Sequence, residues 1–329
     1  MTRLAIIVPC YNEEEILPET NRQLNVILNR MVERNKIAPE SYIYYVDDGS
    51  KDRTWQLIKD ICLENPCVGG IKLARNVGHQ NALLAGLMTV KGDVLVSIDA
   101  DLQDDVDIIE QMVDEYNVRG VEIVYGVRRR RDTDTAFKRM TAQTFYRFLH
   151  FMGVDIVLNH ADFRLMGRRA IQALQEFREI NLFLRGIVPL LGFQSSIVYY
   201  DRKARFAGKS KYPFKRMFAL ALNGITSFSV TPLRMITTLG FIIFFFSSML
   251  GFWGLLAAMF SDSTIPGWAS TVVPVYFLGG VQVFCIGILG EYIGKIYWEV
   301  KQRPRFIIEE VMESPARQSS RGTDMTTRI

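Results

Sequence analysis

The chain has 329 residues, 49% of them hydrophobic and 12% aromatic, which supports a packed core and excludes disorder for most of the length. That length suits one sizeable catalytic domain with additions, or two small domains. A net charge of only +4 argues against a nucleic-acid partner.

From Leu4 to about Met166, short β-branched runs alternate with stretches of helical period. The runs Leu4–Val8, Tyr42–Val46, Gly69–Leu73, Asp93–Ile98 and Glu122–Tyr125 are expected as buried parallel strands. Between them Ile16–Glu33, Thr54–Glu64 and Gln80–Val90 are expected as helices. Strand then helix, repeated, predicts an α/β, doubly wound, mostly parallel sheet. In such sheets ligands bind beyond the carboxyl ends of the strands, so the loops there carry the chemistry. The chain opens directly on a strand-like run, so no cleaved signal peptide is expected. Cys10, Cys62, Cys67 and Cys285 have neither CxxC nor framework spacing and are expected as reduced, buried thiols in a cytosolic compartment.

Three strand-end loops are rich in polar groups. In the first, Pro9 to Glu15, Tyr11 is placed to pack on a base and Glu13 to accept from a ribose, although an acidic helix start explains the Glu run equally well. In the second, Asp47-Asp48-Gly49-Ser50-Lys51-Asp52, one carboxylate can pair with a base N–H, while a turn and a helix cap account for Gly49 to Asp52. The third runs Asp99-Ala100-Asp101-Leu102-Gln103-Asp104-Asp105. Alternate carboxylates at a strand end suit a hard divalent cation bridging a diphosphate; an Asp-rich turn without metal is the plainer alternative. His79, His150 and His160 lack metal spacing and are expected to be structural or hydrogen-bonded.

A second regime follows Arg234. Met235–Phe260 and Ser263–Gly290 hold no charged residue, enough to span a hydrocarbon core of roughly 30 Å twice; buried core helices are the bland alternative. Lys209, Lys211, Lys215, Arg216 and Arg234 precede the pair, and Lys295, Lys301, Arg303 and Arg305 follow it, which predicts cytoplasmic termini. Phe214–Phe228, apolar with a basic edge, is expected to lie along the bilayer. The expected division is 1–212 catalytic, 213–233 interfacial, 234–298 two transmembrane helices and 299–329 a tail, disordered after Met312.

The motifs VPCYNEEE (8–15), VDDGSKDRT (46–54), LARNVGHQNALLAG (73–86) and SIDADLQD (97–104) resemble those of family-two inverting glycosyltransferases. NHADFRLMGRRA (159–170), NLFLRGI (181–187), RFAGKSKY (205–212), GITSFSVTPLR (224–234) and LGEYIGKIYWEVKQRPRF (289–306) resemble the polyprenyl-phosphate subgroup, bactoprenol glucosyltransferases especially. The resemblance implies a Rossmann-like nucleotide-sugar domain in which Pro9, Tyr11, Glu13 and Asp48 hold the nucleoside. Asp99 and Asp101 would hold Mg2+ or Mn2+ and the diphosphate, with Asp101 and Asp162 the catalytic carboxylates. Asp162 falls at the acceptor-side position, and Arg128, Arg139, Arg205 and Lys211 would grip phosphates, whereas Arg129–Arg131 is expected to be a solvated loop. It further implies glucose transfer from UDP-glucose to undecaprenyl phosphate at the bacterial inner membrane, by a homo-oligomer up to a tetramer. N-acetylglucosamine, mannose and amino-arabinose stay open as sugars, as do O-antigen and teichoic-acid pathways. A processive synthase and a non-enzymatic scaffold are the rival functions.

Overall fold

The computed structural model describes residues 1–128, 160–179, 184–201, 231–260 and 268–313. Arg139, Arg205, Lys211, Arg129–Arg131, His150 and the expected interfacial helix Phe214–Phe228 lie outside the described residues. The chain divides into two compact units, one holding the sheet and the other the two long helices.

In the first unit β1 (Leu4–Cys10), α1 (Leu17–Glu33), β2 (Tyr42–Asp47), α2 (Thr54–Glu64), β3 (Val68–Leu73), α3 (His79–Thr89), β4 (Val94–Ser97), α4 (Ile108–Arg119) and β5 (Ile123–Arg128) alternate as expected. Then come β6 (His160–Gly167), α5 (Arg168–Gln175), α6 (Leu184–Leu190), β7 (Ser195–Tyr200) and, far along the chain, β8 (Ile308–Met312). The eight strands are ordered β7-β5-β6-β4-β1-β2-β3-β8. β1 runs parallel to β2 and β4, β2 to β3, and β5 to β7, whereas β6 and β8 are antiparallel to their neighbours. The strand order reverses beside β1, so the crevice between the ends of β1 and β4 is the topological switch point where α/β sheets bind ligands.

Burial explains why these segments fold as they do. Every residue of β1, β2 and β4 is buried, which an unbroken apolar run achieves only in a sheet covered on both faces. α1 buries Leu17, Leu24, Ile27, Leu28 and Met31, one stripe at helical spacing, each contributing roughly 1.5–3 kcal/mol. Pro18 sits in its first turn, where a missing N–H is tolerated. α3 packs closest to the sheet through Gly86, where a Cβ would stand 2.4 Å from Ile7 Cγ2. The four cysteines are free; Cys10 and Cys62 are buried and Cys67 and Cys285 half-buried.

β8 was not foreseen. Residues assigned to a C-terminal tail return to the sheet, where Lys72 and Lys59 pair with Glu309 and Glu310 at 2.9 Å and Trp55 Nε1 donates to Glu310. The strand reads Ile-Glu-Glu-Val-Met, five residues without strict alternation of apolar and polar, which sequence does not distinguish from a polar tail.

The second unit holds α7 (Thr231–Phe260) and α8 (Trp268–Lys301), of 30 and 34 residues. Among the described residues one stretch, Phe277–Lys301, is long and apolar enough to cross a membrane, and Thr231–Ile243 is a shorter apolar helix. Phe241, Phe245, Trp253, Phe277 and Phe284 are exposed along them.

Candidate active site

Buried polar residues gather where the strands end. Asp47, Asp48, Ser97, Gln103, Asp104, Asp162 and Arg164 are all buried, at or after the ends of β2 and β4 and within β6. Groups buried at such cost need partners.

The loops after β1 and β2 hold each other. Asn12, at φ 54°, donates its N–H to Ser50 Oγ at 3.0 Å, and its side-chain oxygen accepts from Lys51 N–H at 2.8 Å. Glu13 N–H donates to Thr54 Oγ1, and Glu14 accepts from Arg53 N–H at 3.0 Å. Asn12, Glu14 and Asp52 therefore shape the loop, while Tyr11 is left 40% exposed. Pro9, within β1, lies in register with Val46.

Asp48 reaches to the third loop. Its two oxygens accept the N–H groups of Val77 and Gly78 at 2.7 and 2.9 Å, immediately before α3. Burial raises its carboxyl and these two donors oppose the rise. Each oxygen retains a lone pair for a ligand N–H. Gly49 beside it is obligatory: at φ +65° a Cβ would stand 2.6 Å from Asn76 N. Sequence alone explained that glycine as a turn; the structure shows it as a close crossing of two loops.

The turn after β4 contains three buried oxygens without a hydrogen-bond donor, Asp99 Oδ1, Gln103 Oε1 and Asp104 Oδ2. Asp101 Oδ1 accepts from Gln103 N–H at 3.2 Å. Bare carboxylate and amide oxygens in one turn are the donor set of a hard divalent cation, so the residues fit Mg2+ or Mn2+. No group of three or more His, Cys, Asp and Glu gathers for a metal among the described residues. A cation here would therefore complete its shell from water or substrate oxygens.

Asp162 stands on β6, brought beside β4 by antiparallel pairing and by Ser97 Oγ, which donates to the Asp162 carbonyl. Its carboxylate, 6% exposed, meets three cations. Arg164 Nη2 is 2.7 Å away, Arg185 lies at 3.2 and 3.3 Å, and His79 Nε2 at 3.7 Å. Burial alone would raise this carboxyl, but Arg164, Arg185 and His79 overcome it and hold it far below the usual carboxylate range. His79 also lies 3.2 Å from Asp99 Oδ1, in ion-pair range but outside hydrogen-bond geometry. Burial lowers the His79 imidazole, and the two carboxylates lift it to about 8.

Arg128, expected to grip a phosphate, donates instead to Asp104 at 2.9 Å and to Tyr200 Oη at 3.2 Å, and Tyr200 donates to Asp104 at 2.5 Å. Arg128 and Tyr200 thus anchor Asp104 of the turn after β4 through its Oδ1. Asp99, Asp101, Asp48 and Asp162 lie on loops or strands near His79, expected as structural or hydrogen-bonded, near Asp104 of the same Asp-rich turn, and near Arg185 and Tyr200, to which sequence alone gives no role. Arg185 lay inside a motif already singled out, but its partner on β6 depends on strand pairing that no local pattern reveals.

The model for glycosyl transferase family 2 matches residues 5–174. The uncharacterized glycosyltransferase YkoT of Bacillus subtilis (strain 168) is 53% identical over 308 residues, covering 93% of this chain and 91% of that one. The bactoprenol glucosyl transferase of Shigella phage SfII is 38% identical over 310 residues, covering 94% and 98%. Among solved structures, mannosyl-3-phosphoglycerate synthase from Rubrobacter xylanophilus aligns over 73% of this chain and 75% of that one, at 16% identity and a TM-score of 0.46. With the family matched across half the sequence and close relatives across nearly all of it, the chain belongs to glycosyl transferase family 2.

Proposed function

We propose that this enzyme transfers a hexose, glucose from UDP-glucose, onto undecaprenyl phosphate at the cytoplasmic face of the bacterial inner membrane. The observation that carries the proposal is the similarity to bactoprenol glucosyl transferases, which covers 94% of the chain. A lipid acceptor accounts for a nucleotide-sugar fold that shares its chain with α7 and α8. In this proposal both helices span the bilayer. At about 1.5 Å per residue, α8 alone is about 51 Å long, more than a hydrocarbon core of roughly 30 Å requires.

The reaction is a single displacement with inversion. A lipid phosphate oxygen attacks the anomeric carbon, the bond from that carbon to the diphosphate breaks, and UDP departs with the electron pair. A phosphate monoester has a second pKa of about 6, so the nucleophile is already ionised near neutral pH. It needs orientation and a screened leaving group, not a strong base. Tyr11, stacked on the base, and Asp48 would fix the nucleoside. Asp99 and Asp101, with Gln103 Oε1 beside them, would hold Mg2+ or Mn2+. When bound, that cation neutralises charge developing on the diphosphate. His79, 3.2 Å from Asp99, would add a ring N–H beside the same turn. Asp162 is held ionised by its cations and so accepts protons poorly.

The test uses the full chain in detergent with undecaprenyl phosphate and a panel of UDP- and GDP-sugars. UDP release from UDP-glucose that depends on the lipid supports the proposal. Equal release without lipid identifies a hydrolase, and release only from another sugar corrects the donor.

A further inference from the structure

Asp162 has one guanidinium more than it needs. Arg164 is 2% exposed and pairs with Asp162 at 2.7 Å, so the buried carboxylate already has a buried counter-ion. Arg185 adds a second positive charge to the same carboxylate, and its side chain is 38% exposed. If Arg185 served only to neutralise Asp162, it would duplicate Arg164 at the expense of ordering a long side chain.

Its placement is unusually constrained for an accessible arginine. The N–H of Leu184, the residue before it, donates to Gln80 Oε1 at 3.2 Å, and the Leu184 carbonyl accepts from Arg164 Nη1 at 3.4 Å. The backbone leading into Arg185 is thus held by α3 on one side and β6 on the other. The guanidinium then lays Nε and Nη2 against the two Asp162 oxygens. Nη1 makes no hydrogen bond among the described residues. Asp99 and Arg128 both act electrostatically on Arg185, and His79, which also meets Asp162, lies 3.2 Å from Asp99, so the guanidinium stands near the turn after β4. A guanidinium fixed along one edge and open along the other is preorganised for a phosphate, whose oxygens it can meet in pairs.

We propose that Arg185 binds a substrate phosphate in this crevice, and that Asp162 is a positioning residue acting through it. The inference rests on the glycosyl-transfer proposal above for the identity of the substrates. Two phosphates could supply this chemistry, the donor diphosphate and the lipid phosphate, and binding measurements tell them apart.

The experiment compares the full-length wild type with Arg185→Gln, Arg185→Lys and Asp162→Asn in detergent. Calorimetry measures UDP and uridine, and tryptophan fluorescence measures a short-chain polyprenyl phosphate. Arg185→Gln is expected to weaken at least one phosphate ligand tenfold or more while uridine binding stays within twofold. Loss confined to UDP assigns the residue to the donor; loss confined to the lipid assigns it to the acceptor. Arg185→Lys keeps a charge for Asp162 but lacks the planar fork, so it reports the same loss even if the Gln variant does not fold. Asp162→Asn is expected to weaken the same ligand, and the double variant to be no weaker than Arg185→Gln alone. UDP and lipid affinities within twofold of wild type in both arginine variants would overturn the inference. So would a wild type that binds neither phosphate. If Asp162→Asn abolishes turnover with phosphate affinity intact, Asp162 acts directly and its positioning role is wrong. Binding needs no turnover, so a wild type that binds both ligands but joins no sugar to lipid rejects the proposed function and leaves this inference standing.

Discussion

At the scale of single residues, charge decides the chemistry. Asp162 faces two guanidiniums and an imidazole, so its carboxyl lies well below the ordinary range and stays ionised at any working pH. The pH profile of kcat/KM should accordingly show no limb from Asp162. It should rise through about pH 6, where the lipid phosphate takes its second charge. Rates measured from pH 5 to 8 check this, and a limb that disappears in Asp162→Asn would restore the carboxylate as a base. The cation turn makes a second prediction. Asp101→Asn should cut turnover at least about 100-fold, since an amide is a poor substitute for a carboxylate on a hard cation. Chelation of the wild type should do the same, reversibly. Undiminished activity in EDTA would remove the metal from the mechanism.

At the scale of elements, the site depends on loops that brace one another. Gly49 lets the β2 loop pass the backbone of Arg75 and Asn76, so Gly49→Ala should destabilise by roughly 1–3 kcal/mol and also weaken UDP binding. Thermal unfolding with and without UDP separates the two effects. α1 and α4 are joined by Glu110, which meets Arg30, Arg34 and Lys36 at 2.8–2.9 Å. Burial would raise Glu110, yet these cations hold it down to about 2 against an ordinary 4.5. Its stabilisation is therefore complete above pH 4.5 and is lost as pH falls toward 2. Glu110→Gln should lower stability at pH 7 by roughly 1–2 kcal/mol and flatten the acid limb of a denaturation series. Much of this scale was legible in advance. The unbroken apolar runs announced β1 to β5, and the α1 stripe announced its helix. β6, β7 and β8 were not, because each pairs with a strand far away in sequence, and β8 is a five-residue strand of mixed polarity. The position of Asp99 and Asp101 just after β4 could be read from the sequence. The surroundings of Asp162 could not, since His79, Arg164 and Arg185 reach it from three separate elements.

At the scale of the whole molecule, the sheet closes with a strand supplied after the long helices. β8 covers the β3 edge, and Ala74 N–H donates to Ile307 carbonyl at 2.9 Å at the start of the loop that Asp48 clamps. A chain ending at Gln302 should expose that edge, melt at lower temperature and bind UDP more weakly. If both long helices span the bilayer, a tag inserted between Ser261 and Ser270 should be reached from outside intact cells, and a fusion after Ile329 should not. The most direct test of the account is the covalent product itself. Wild-type enzyme incubated with UDP-glucose, Mg2+ and undecaprenyl phosphate should yield one hexose joined to the lipid by a phosphodiester, with the anomeric configuration inverted by NMR. The Asp101→Asn enzyme should yield almost none. Free glucose and untouched lipid, or a polymer in place of a single sugar, would contradict it.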